Sequence, residues 1–432
     1  MVNVVMIDCH DLGRHLGCYG QATVSSHNLD GLAQRGVQFT HSYCTAPQCS
    51  PSRASLYTGR YAHATGMLGL AHDPFNWSLH DDEVYLPRYL QQSGYETALI
   101  GCQHVAHNTE ADTRRLGFDL VQLTRDSGEI VERVQHFLTQ PRERHFYLNI
   151  GFNDVHRGAD GLFRSSRPDD SIGVAVPPYL PATAEARGEL AEFQGIIRRL
   201  DDAVGAILHA LEAKGHLTDT WVIFATDHGI AMPRAKCTMY DPGIETAFLM
   251  LAEPFGLGGG RRVDDLISHV DLVPTLLEAL GIPIPARLHG RSYWGLLAGK
   301  SGYIPRNTVF AEKTFHTAYE PQRAIRTRDY KLILNLEVDI INVPADIQHS
   351  PVYPQMLHAL TVERPPVELY DLRADPLETD NLTDRDEYAD IRRDLLDQLL
   401  IWMQTTDDPI LNGPIPSPYN LRALQLLRGA HA

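Results

Sequence analysis

Short apolar runs alternate with segments of helical periodicity over about the first 280 residues of the chain. The runs are rich in β-branched and aromatic residues, which is typical of buried parallel strands; they are "NVVMID" (3–8), "ETALIG" (96–101), "HFYLNIGF" (145–152) and "TWVIFAT" (220–226). Between residues 189 and 213, apolar side chains recur every three or four positions, the spacing of one helix face. This alternation predicts an α/β protein in which helices flank a large, mostly parallel central sheet.

The pattern changes after about residue 305. The segment "RAIRTRDYKLILNLEV" (323–338) predicts paired antiparallel strands, and "EYADIRRDLLDQLLIWMQ" (387–404) predicts a late helix. We therefore expect two units, a large domain over residues 1–305 and a smaller C-terminal α+β subdomain with an antiparallel sheet over residues 306–432.

Composition and charge restrict the partners of the chain. A net charge of −16 argues against nucleic acid or an anionic membrane as the main partner, so an anionic substrate needs a local basic pocket. No apolar run is long enough to span a bilayer. The first strand begins almost at Met1, and the six cysteines show no paired spacing. These features predict reduced thiols and a cytoplasmic location.

Polar groups follow three of the predicted strands where each strand ends. They are Asp8, His10 and Asp11 after the first run, Asn153, Asp154, His156 and Arg157 after "HFYLNIGF", and Asp227 and His228 after "TWVIFAT". Ligands collect beyond the carboxyl ends of parallel strands, and carboxylates with imidazoles hold divalent cations. Each aspartate alone could equally cap a turn. Together they predict a site for one divalent metal ion.

The segment "CSPSR" (49–53) supplies a further element of this site. Pro51 suits the first position of a helix, so we expect Cys49 just ahead of a helix whose free N–H groups favour an anion. Arg53 follows one turn later and can fold back towards residue 49. The alternative is a buried cysteine in a loop, which is the commoner fate of a lone cysteine.

These residues resemble the sulfatase family of the alkaline phosphatase superfamily. Residues 49–53 fit its C-x-P-x-R signature, and "TDHG", "SHVDLVPTLLEALG", "GRSYWGLL" and "ELYDLRADPLETDNL" resemble other sulfatase segments in the same order. The segments "NDVHRG" and "HTAYEPQRAIRTRDYKLILN" are similar to the sulfamidase branch, the N-sulfoglucosamine sulfohydrolases. The resemblance implies an alkaline-phosphatase-like sandwich, a catalytic domain over residues 1–305, and a C-terminal subdomain that closes the active site.

The resemblance also implies the catalytic chemistry. A formylglycine-generating enzyme would convert Cys49 to formylglycine, whose hydrated aldehyde attacks the sulfuryl group, and Arg53 would hold that diol. Lys236 matches the lysine that binds sulfate in the family, while His104 and His156 match histidines beside the sulfate and the leaving group. For these three residues the alternatives are a solvated lysine and structural histidine hydrogen bonds. The implied metal ligands are Asp11, Cys49, Asp227 and His228, with His10 or Asp8 completing the set.

Two departures from the family pattern bear on metal and substrate. His10 stands where the family has an aspartate, and His228 stands where many relatives have asparagine. Imidazole ligands shift the expected metal from calcium towards manganese, zinc or iron. Cys102 stands where the family usually has a lysine, so one positive charge on the sulfate is missing. This loss weakens the case for ordinary aryl or sugar O-sulfatase activity.

The leading hypothesis is hydrolysis of a sulfamate or sulfate ester on a small sugar such as N-sulfoglucosamine. A phosphonate or phosphate monoester hydrolase or an aryl sulfatase is one alternative, and a weakly active protein that binds sulfated ligands is another. His316 and Arg323 are the candidates to bind the sugar, although an exposed loop with solvated charges would explain them equally well. The expected partners are a small sulfated sugar, the maturation enzyme and, in a possible homo-oligomer, a second copy of the chain.

Overall fold

The computed structural model describes residues 2–163, 167–337 and 343–429. The strands in these ranges are β1 (Asn3–Cys9), β2 (Val37–Tyr43), β3 (Glu96–Gly101), β4 (Leu120–Leu123), β5 (Phe146–Gly151), β6 (Thr220–Thr226), β7 (Phe248–Leu251), β8 (Arg261–Ser268), β9 (Thr308–Phe315), β10 (Tyr319–Thr327), β11 (Tyr330–Asn335) and β12 (Val367–Asp371).

The α-helices in the same ranges are α1 (His27–Arg35), α2 (Cys49–Thr58), α3 (Ala62–Thr65), α4 (Leu86–Gln92), α5 (Glu110–Arg115), α6 (Ser127–Thr139), α7 (Ala184–Ala213), α8 (Asp241–Ile244), α9 (Leu272–Ala279), α10 (Trp294–Leu297), α11 (Ala345–Gln348), α12 (Tyr353–Leu360), α13 (Ala389–Thr405) and α14 (Pro418–Gly429). None of these helices combines the length and the apolar character that a membrane span requires.

A central sheet of eight strands in the described chain has the order β4-β3-β5-β1-β6-β7-β2-β8. Seven of its strands are parallel to one another, and β7 runs antiparallel to both of its neighbours, β6 and β2. The four apolar runs of the sequence form β1, β3, β5 and β6. The predicted α/β fold with a mostly parallel sheet is therefore confirmed.

Strand β1 shows why the sequence predicts a fully buried strand. Val5 and Ile7 point to one face, where they pack in a core that includes residues of α6 and α7. Val4 and Met6 point to the other face, towards residues of α2, α4 and α9. Because both faces are covered by helices, the strand is apolar at successive positions and does not alternate.

The register of the central strands brings their carboxyl ends to one edge. Asp8 of β1 lies opposite Gly151 of β5 and Ala225 of β6, and Gly101 of β3 also lies opposite Gly151. The segments that follow these four strands therefore leave the sheet side by side. They carry the polar groups that the sequence places after each strand.

The second sheet is antiparallel, with the order β12-β11-β10-β9. On one face, Ile325 and Leu332 belong to a core with Trp402 of α13. On the other face, Ala324 packs in a cluster with Met239, which precedes β7 of the central sheet. The predicted antiparallel C-terminal sheet and late helix are confirmed. The sheet begins at Thr308, and the division at residues 305 and 306 stays a prediction.

The start of α2 differs from the prediction. The helix begins at Cys49, not after it, and Pro51 is its third residue. Gln48 has an extended backbone, and its carbonyl accepts the first helical hydrogen bond from the Ser52 amide at 3.1 Å. Pro51 fits because its missing N–H belongs to the first turn, where no helical partner exists. Cys49 thus lies in the first turn and not in the preceding loop.

Candidate active site

Cys49 lies at the carboxyl edge of the central sheet, among side chains that follow β1 and β6. Its Sγ atom is 3.3 Å from Nε2 of His228 and 4.0 Å from Oδ1 of Asp11. His10, Asp11, Cys49 and Asp227 each offer a ligand atom, these atoms lie within 4.8 Å of one another, and all four residues are buried. The fold therefore brings residues from three separate segments into one cluster of metal-ligand type.

The loop geometry fixes the orientation of these ligands. Oδ1 of Asp227 accepts hydrogen bonds from the backbone amides of Asp11 at 3.0 Å and His228 at 2.9 Å. Nδ1 of His228 donates to the Gly229 carbonyl at 3.0 Å, so its Nε2 faces Cys49 and lies 3.1 Å from Oδ1 of Asp11. These backbone contacts hold the β1 and β6 ends together and aim the side chains inward.

The electrostatics of the cluster favour a bound cation. Burial alone would lower the pKa of His228, yet Asp227, Cys49 and Asp11 raise it to about 10. Nδ1 of His10 lies 3.0 Å from Oδ2 of Asp227, but it has no hydrogen-bond partner among the described residues. Buried carboxylates beside imidazole nitrogens are the donors that a divalent metal ion requires. The residues present fit one such ion.

Asp8 does not join this cluster. Its carboxylate is paired with the guanidinium of Arg53 and the hydroxyl of Tyr57, and it accepts a hydrogen bond from Nδ2 of Asn149 at 2.7 Å. Because its oxygens are already engaged, the structure brings His10 and not Asp8 to the ligand group. Tyr57 and Asn149 hold Asp8 in this position, and the sequence analysis did not assign either of them to the site.

The Arg53 guanidinium connects Asp8 to the cluster, since it contacts both Asp8 and Asp227. Its Nε donates to Oδ2 of Asp227 at 3.2 Å, and its Nη2 donates to the Cys9 carbonyl at 3.0 Å. Burial would raise the pKa of Asp227, but the charges of His228 and Arg53 hold it below the ordinary value. The guanidinium therefore keeps Asp227 ionised and oriented, and the expectation that Arg53 holds a diol at residue 49 stays a prediction.

Lys236 contacts Oδ2 of Asp11, whereas His228 lies beside Oδ1 of the same carboxylate. Its Nζ donates to Oδ2 of Asp11 and to Oδ2 of Asp346, each at 2.9 Å, and the side chain is almost completely buried. Although burial alone would raise the pKa of the Cys49 thiol, Lys236 and His228 lower it well below its ordinary value. The position of Sγ therefore favours an anionic group. Asp346 belongs to the short helix α11, and no feature of the sequence around it points to the site.

Two of the predicted histidines lie near the cluster. Nδ1 of His156 donates to the Arg157 carbonyl at 2.7 Å, and its Nε2 lies 3.8 Å from Oδ2 of Asp11. His104 forms a possible metal-binding group with His10 and Cys49. Burial lowers the pKa of His104 to about 4, so this imidazole is neutral at pH 7. Its Nδ1 has no hydrogen-bond partner among the described residues.

His72 contacts the second nitrogen of His104, and sequence reasoning missed it. Nδ1 of His72 lies 3.2 Å from Nε2 of His104, and the two rings are stacked with centroids 5.3 Å apart. The only signal in the sequence is a histidine in the loop that follows α3, which is too common a feature to identify a site. Its position here depends on the fold of that loop over the sheet edge.

The two predicted sugar-binding residues have different surroundings. Burial, together with the charge of Lys236, lowers the pKa of His316 to about 3, so its imidazole is neutral at pH 7. Arg323 is fully buried inside the second subdomain, where its guanidinium donates to Asp408 at 2.5 and 2.9 Å. It also donates to the carbonyls of Lys313 and Gln322. With its donors engaged in this way, Arg323 is not positioned to bind a sugar, and that expectation is corrected.

A cavity of about 470 Å³ adjoins the cluster. Its lining residues are His10, His72, Cys102, His104, Ala106, Asn108, Arg125, Asn153, His156, Arg157, Gly158 and Ala159. Sγ of Cys102 lies 3.9 Å from Nε2 of His10, at the position where the sequence comparison expects a lysine. The cavity is large enough for a small organic substrate and opens beside His104 and His156.

Comparisons with known proteins agree with this geometry. The family model described as "Sulfatase" matches residues 2–282, and the model "N-sulphoglucosamine sulphohydrolase, C-terminal" matches residues 234–358. The chain is 30% identical to N-sulphoglucosamine sulphohydrolase of Homo sapiens, over 95% of this chain and 92% of that protein.

Two solved structures share the fold. A 2-O GAG sulfatase superposes with a TM-score of 0.76 and 22% identity, covering 96% of this chain and 95% of its own. A protein solved in complex with its substrate D-glucosamine-2-N,6-O-disulfate superposes with a TM-score of 0.74 and 18% identity, covering 96% of this chain and 99% of its own.

Proposed function

The chain belongs to the sulfatase family and is a hydrolase of sulfate or sulfamate groups, and from this premise we propose that it removes the N-sulfuryl group of a small sugar such as N-sulfoglucosamine. The observation that carries the proposal is the position of Cys49, buried at the head of α2 between the Asp11–Asp227 carboxylates and Lys236. A thiol there is surrounded by the groups that an anionic sulfuryl transfer requires.

In the active protein, we propose that Cys49 is converted to formylglycine, so its Sγ marks where an oxygen of the hydrated aldehyde would lie. The modified residue supplies a hydroxyl nucleophile in place of the thiol. Lys236 and His228, which lower the pKa at this position, would stabilise the anionic form of that nucleophile. This role requires a formylglycine-generating enzyme as a partner during maturation.

The chain would hold one divalent cation through Asp11, Asp227, His228 and residue 49, with His10 as a further ligand. The cation would supply Lewis-acid polarisation of the sulfuryl oxygens. Two imidazoles among the donors support manganese, zinc or iron over calcium. Arg53 contributes by keeping Asp227 ionised, since it donates to Oδ2 of that carboxylate at 3.2 Å.

His156 is our candidate to protonate the leaving nitrogen. Its Nδ1 proton is held by the Arg157 carbonyl, so Nε2 is the atom that can carry a proton into the site. His104, which is neutral at pH 7, would accept or donate a hydrogen bond through its unpartnered Nδ1. Lys236 would neutralise charge on the sulfuryl oxygens.

We propose that the C-terminal subdomain closes the pocket, and two of its residues support this. Asp346 binds Lys236 at 2.9 Å, and His316 lies close enough for the Lys236 charge to lower its pKa. Both residues follow residue 306 in the chain. We propose a cytoplasmic location because all six cysteines are free. A homo-oligomer stays a prediction.

The test is a hydrolysis screen with protein co-expressed with a formylglycine-generating enzyme. Mass spectrometry of the peptide containing Cys49 should show a loss of about 18 Da, and N-sulfoglucosamine should be cleaved faster than an aryl sulfate or a phosphonate monoester. The Cys49→Ala variant, which cannot be matured, is the control and should be inactive. Preference for the phosphonate, or full activity with an unmodified Cys49, would contradict the proposal.

A further inference from the structure

The cavity beside the proposed catalytic cluster contains a cation that the proposed reaction does not use. Arg125 lines this cavity together with His10, His104 and His156. It follows β4, which is separated from β1 by β3 and β5 in the sheet order. Three strand spacings amount to about 14 Å, and an arginine side chain can reach back across part of that distance. Arg125 therefore shares one cavity with His10, His104 and His156, which lie next to residue 49 or to its neighbour Asp11.

The cavity lining contains basic side chains and no acidic ones among the described residues. The lining includes four histidines and two arginines and, among the described residues, no aspartate or glutamate. Arg157 is already neutralised, because its Nη1 donates to Glu189 at 2.6 Å and its Nε donates to the Ala231 carbonyl. Arg125 has no ion pair or side-chain hydrogen bond within the described chain and is solvent-exposed. In a chain of net charge −16, an uncompensated guanidinium in an acid-free cavity is a local attractor for an anion.

Two uncommitted amides accompany this guanidinium. Asn108 and Asn153 line the same cavity, and their side chains make no hydrogen bond within the described structure. Amide groups both donate and accept, which suits the hydroxyl groups of a sugar. In the proposed reaction, Lys236 and the cation held by the metal ligands bind the sulfuryl group that is removed. Arg125 is therefore available for a different group on the same molecule.

We propose that Arg125 is a specificity-determining residue that binds a second anionic group, a sulfate or a carboxylate, on the sugar substrate. The assignment rests on the proposed function. A guanidinium binds either oxyanion through two parallel hydrogen bonds, so the structure defines the shared chemistry of the ligand. The preferred substrate then carries at least two anions, the sulfamate at residue 49 and an oxyanion at Arg125, with Asn108 and Asn153 facing the ring hydroxyls.

Three substrates test the assignment with matured enzyme: N-sulfoglucosamine, N-sulfoglucosamine 6-sulfate, and N-sulfoglucosamine linked to glucuronic acid. We expect the wild type to cleave at least one of the two doubly charged sugars with a kcat/KM about tenfold higher than the singly charged sugar. Arg125→Ala should remove that advantage, mainly through KM, and change kcat/KM for N-sulfoglucosamine less than about twofold. If the 6-sulfate is the better substrate, the second anion is a sulfate; if the glucuronic acid conjugate is better, it is a carboxylate.

The matched control is Arg144→Ala, because Arg144 is an exposed arginine just before β5, at the opposite edge of the sheet. It changes the net charge equally and should leave all three values unchanged. Equal losses on singly and doubly charged sugars in Arg125→Ala, or no preference in the wild type, would overturn the assignment while the proposed function stands. No cleavage of any of the three sugars by the matured wild type would overturn the proposed function and this assignment with it.

Discussion

Replacing Arg323 with alanine should unfold the second subdomain more easily and should not act on substrate binding. The guanidinium is fully buried and donates to both oxygens of Asp408, whose side chain is also inaccessible. Its loss leaves the Asp408 carboxylate buried, and among the described residues only His63 at 3.9 Å and the Ile410 amide remain as a neighbouring charge or donor. The carbonyls of Lys313 and Gln322 lose a donor as well.

The magnitude follows from the burial of the pair. Breaking a buried ion pair by removing one partner costs about 3–5 kcal/mol, because the remaining charge is uncompensated. Native domains are stable by about 5–15 kcal/mol, so the loss is a large fraction of the total. At roughly 2–4 °C for each kcal/mol, the melting temperature should fall by roughly 10 °C.

The assay is urea unfolding followed by far-UV circular dichroism and by tryptophan fluorescence, since Trp402 lies in the same core as the second sheet. The matched control is Arg328→Ala, on the same hairpin, whose exposed guanidinium donates a hydrogen bond to the Asp264 carbonyl. That change should cost less than about 0.5 kcal/mol. The Arg323→Ala/Asp408→Ala double variant should recover about 2–3 kcal/mol relative to the sum of the single losses.

The kinetic readout separates the two interpretations of Arg323. At a temperature where the variant stays folded, KM for N-sulfoglucosamine and for an aryl sulfate should both match the wild type. An unchanged urea midpoint together with a KM that rises only for the sugar would refute the reasoning from burial. It would restore Arg323 as a sugar ligand.

Two further variants test the metal site and the buried carboxyl group of Glu378. Asp227→Asn should lower the bound metal well below one ion per chain by mass spectrometry and reduce kcat by about 10³-fold, since a metal ligand and its charge are lost; full activity of metal-stripped wild type would contradict this. Burial and the nearby Asp241 raise the pKa of Glu378 to about 7 despite its contact with Lys331, so this carboxyl contributes its full stability below about pH 4.5 and loses it as the pH rises towards 7. Between these pH values the free energy of unfolding should therefore fall less in Glu378→Gln than in the wild type, by on the order of 2 kcal/mol. Parallel pH profiles of the two proteins would rule out this linkage.

Local sequence determined the elements whose signals are contained within a few residues. The apolar runs at β1, β3, β5 and β6 specify buried strands because a strand covered on both faces must be apolar at successive positions. Gly59 ends α2 with a backbone φ of 70°, a conformation that glycine adopts without a steric cost. The segment 49–53 likewise identified residue 49 as the centre of the site, because its motif is local.

Tertiary structure decided which side chains reach that centre. Asp8 and His10 lie two positions apart at the end of β1, and strand periodicity would assign both to the same face. Arg53, Tyr57 and Asn149 engage Asp8 and leave His10 to the cluster, through contacts that span 45 or more positions. The choice between the two residues therefore depends on which charges the fold neutralises.

The same reason explains the outcomes at Arg323 and Asp346. Arg323 looked like a loop cation in the sequence, but Asp408, 85 positions away, draws its guanidinium into the interior. Asp346 showed no signal, yet it lies 2.9 Å from Lys236, 110 positions earlier in the chain. A buried charge must find its counter-charge wherever the fold brings one, and that partner is fixed by the packing of sheets and helices and not by neighbouring sequence.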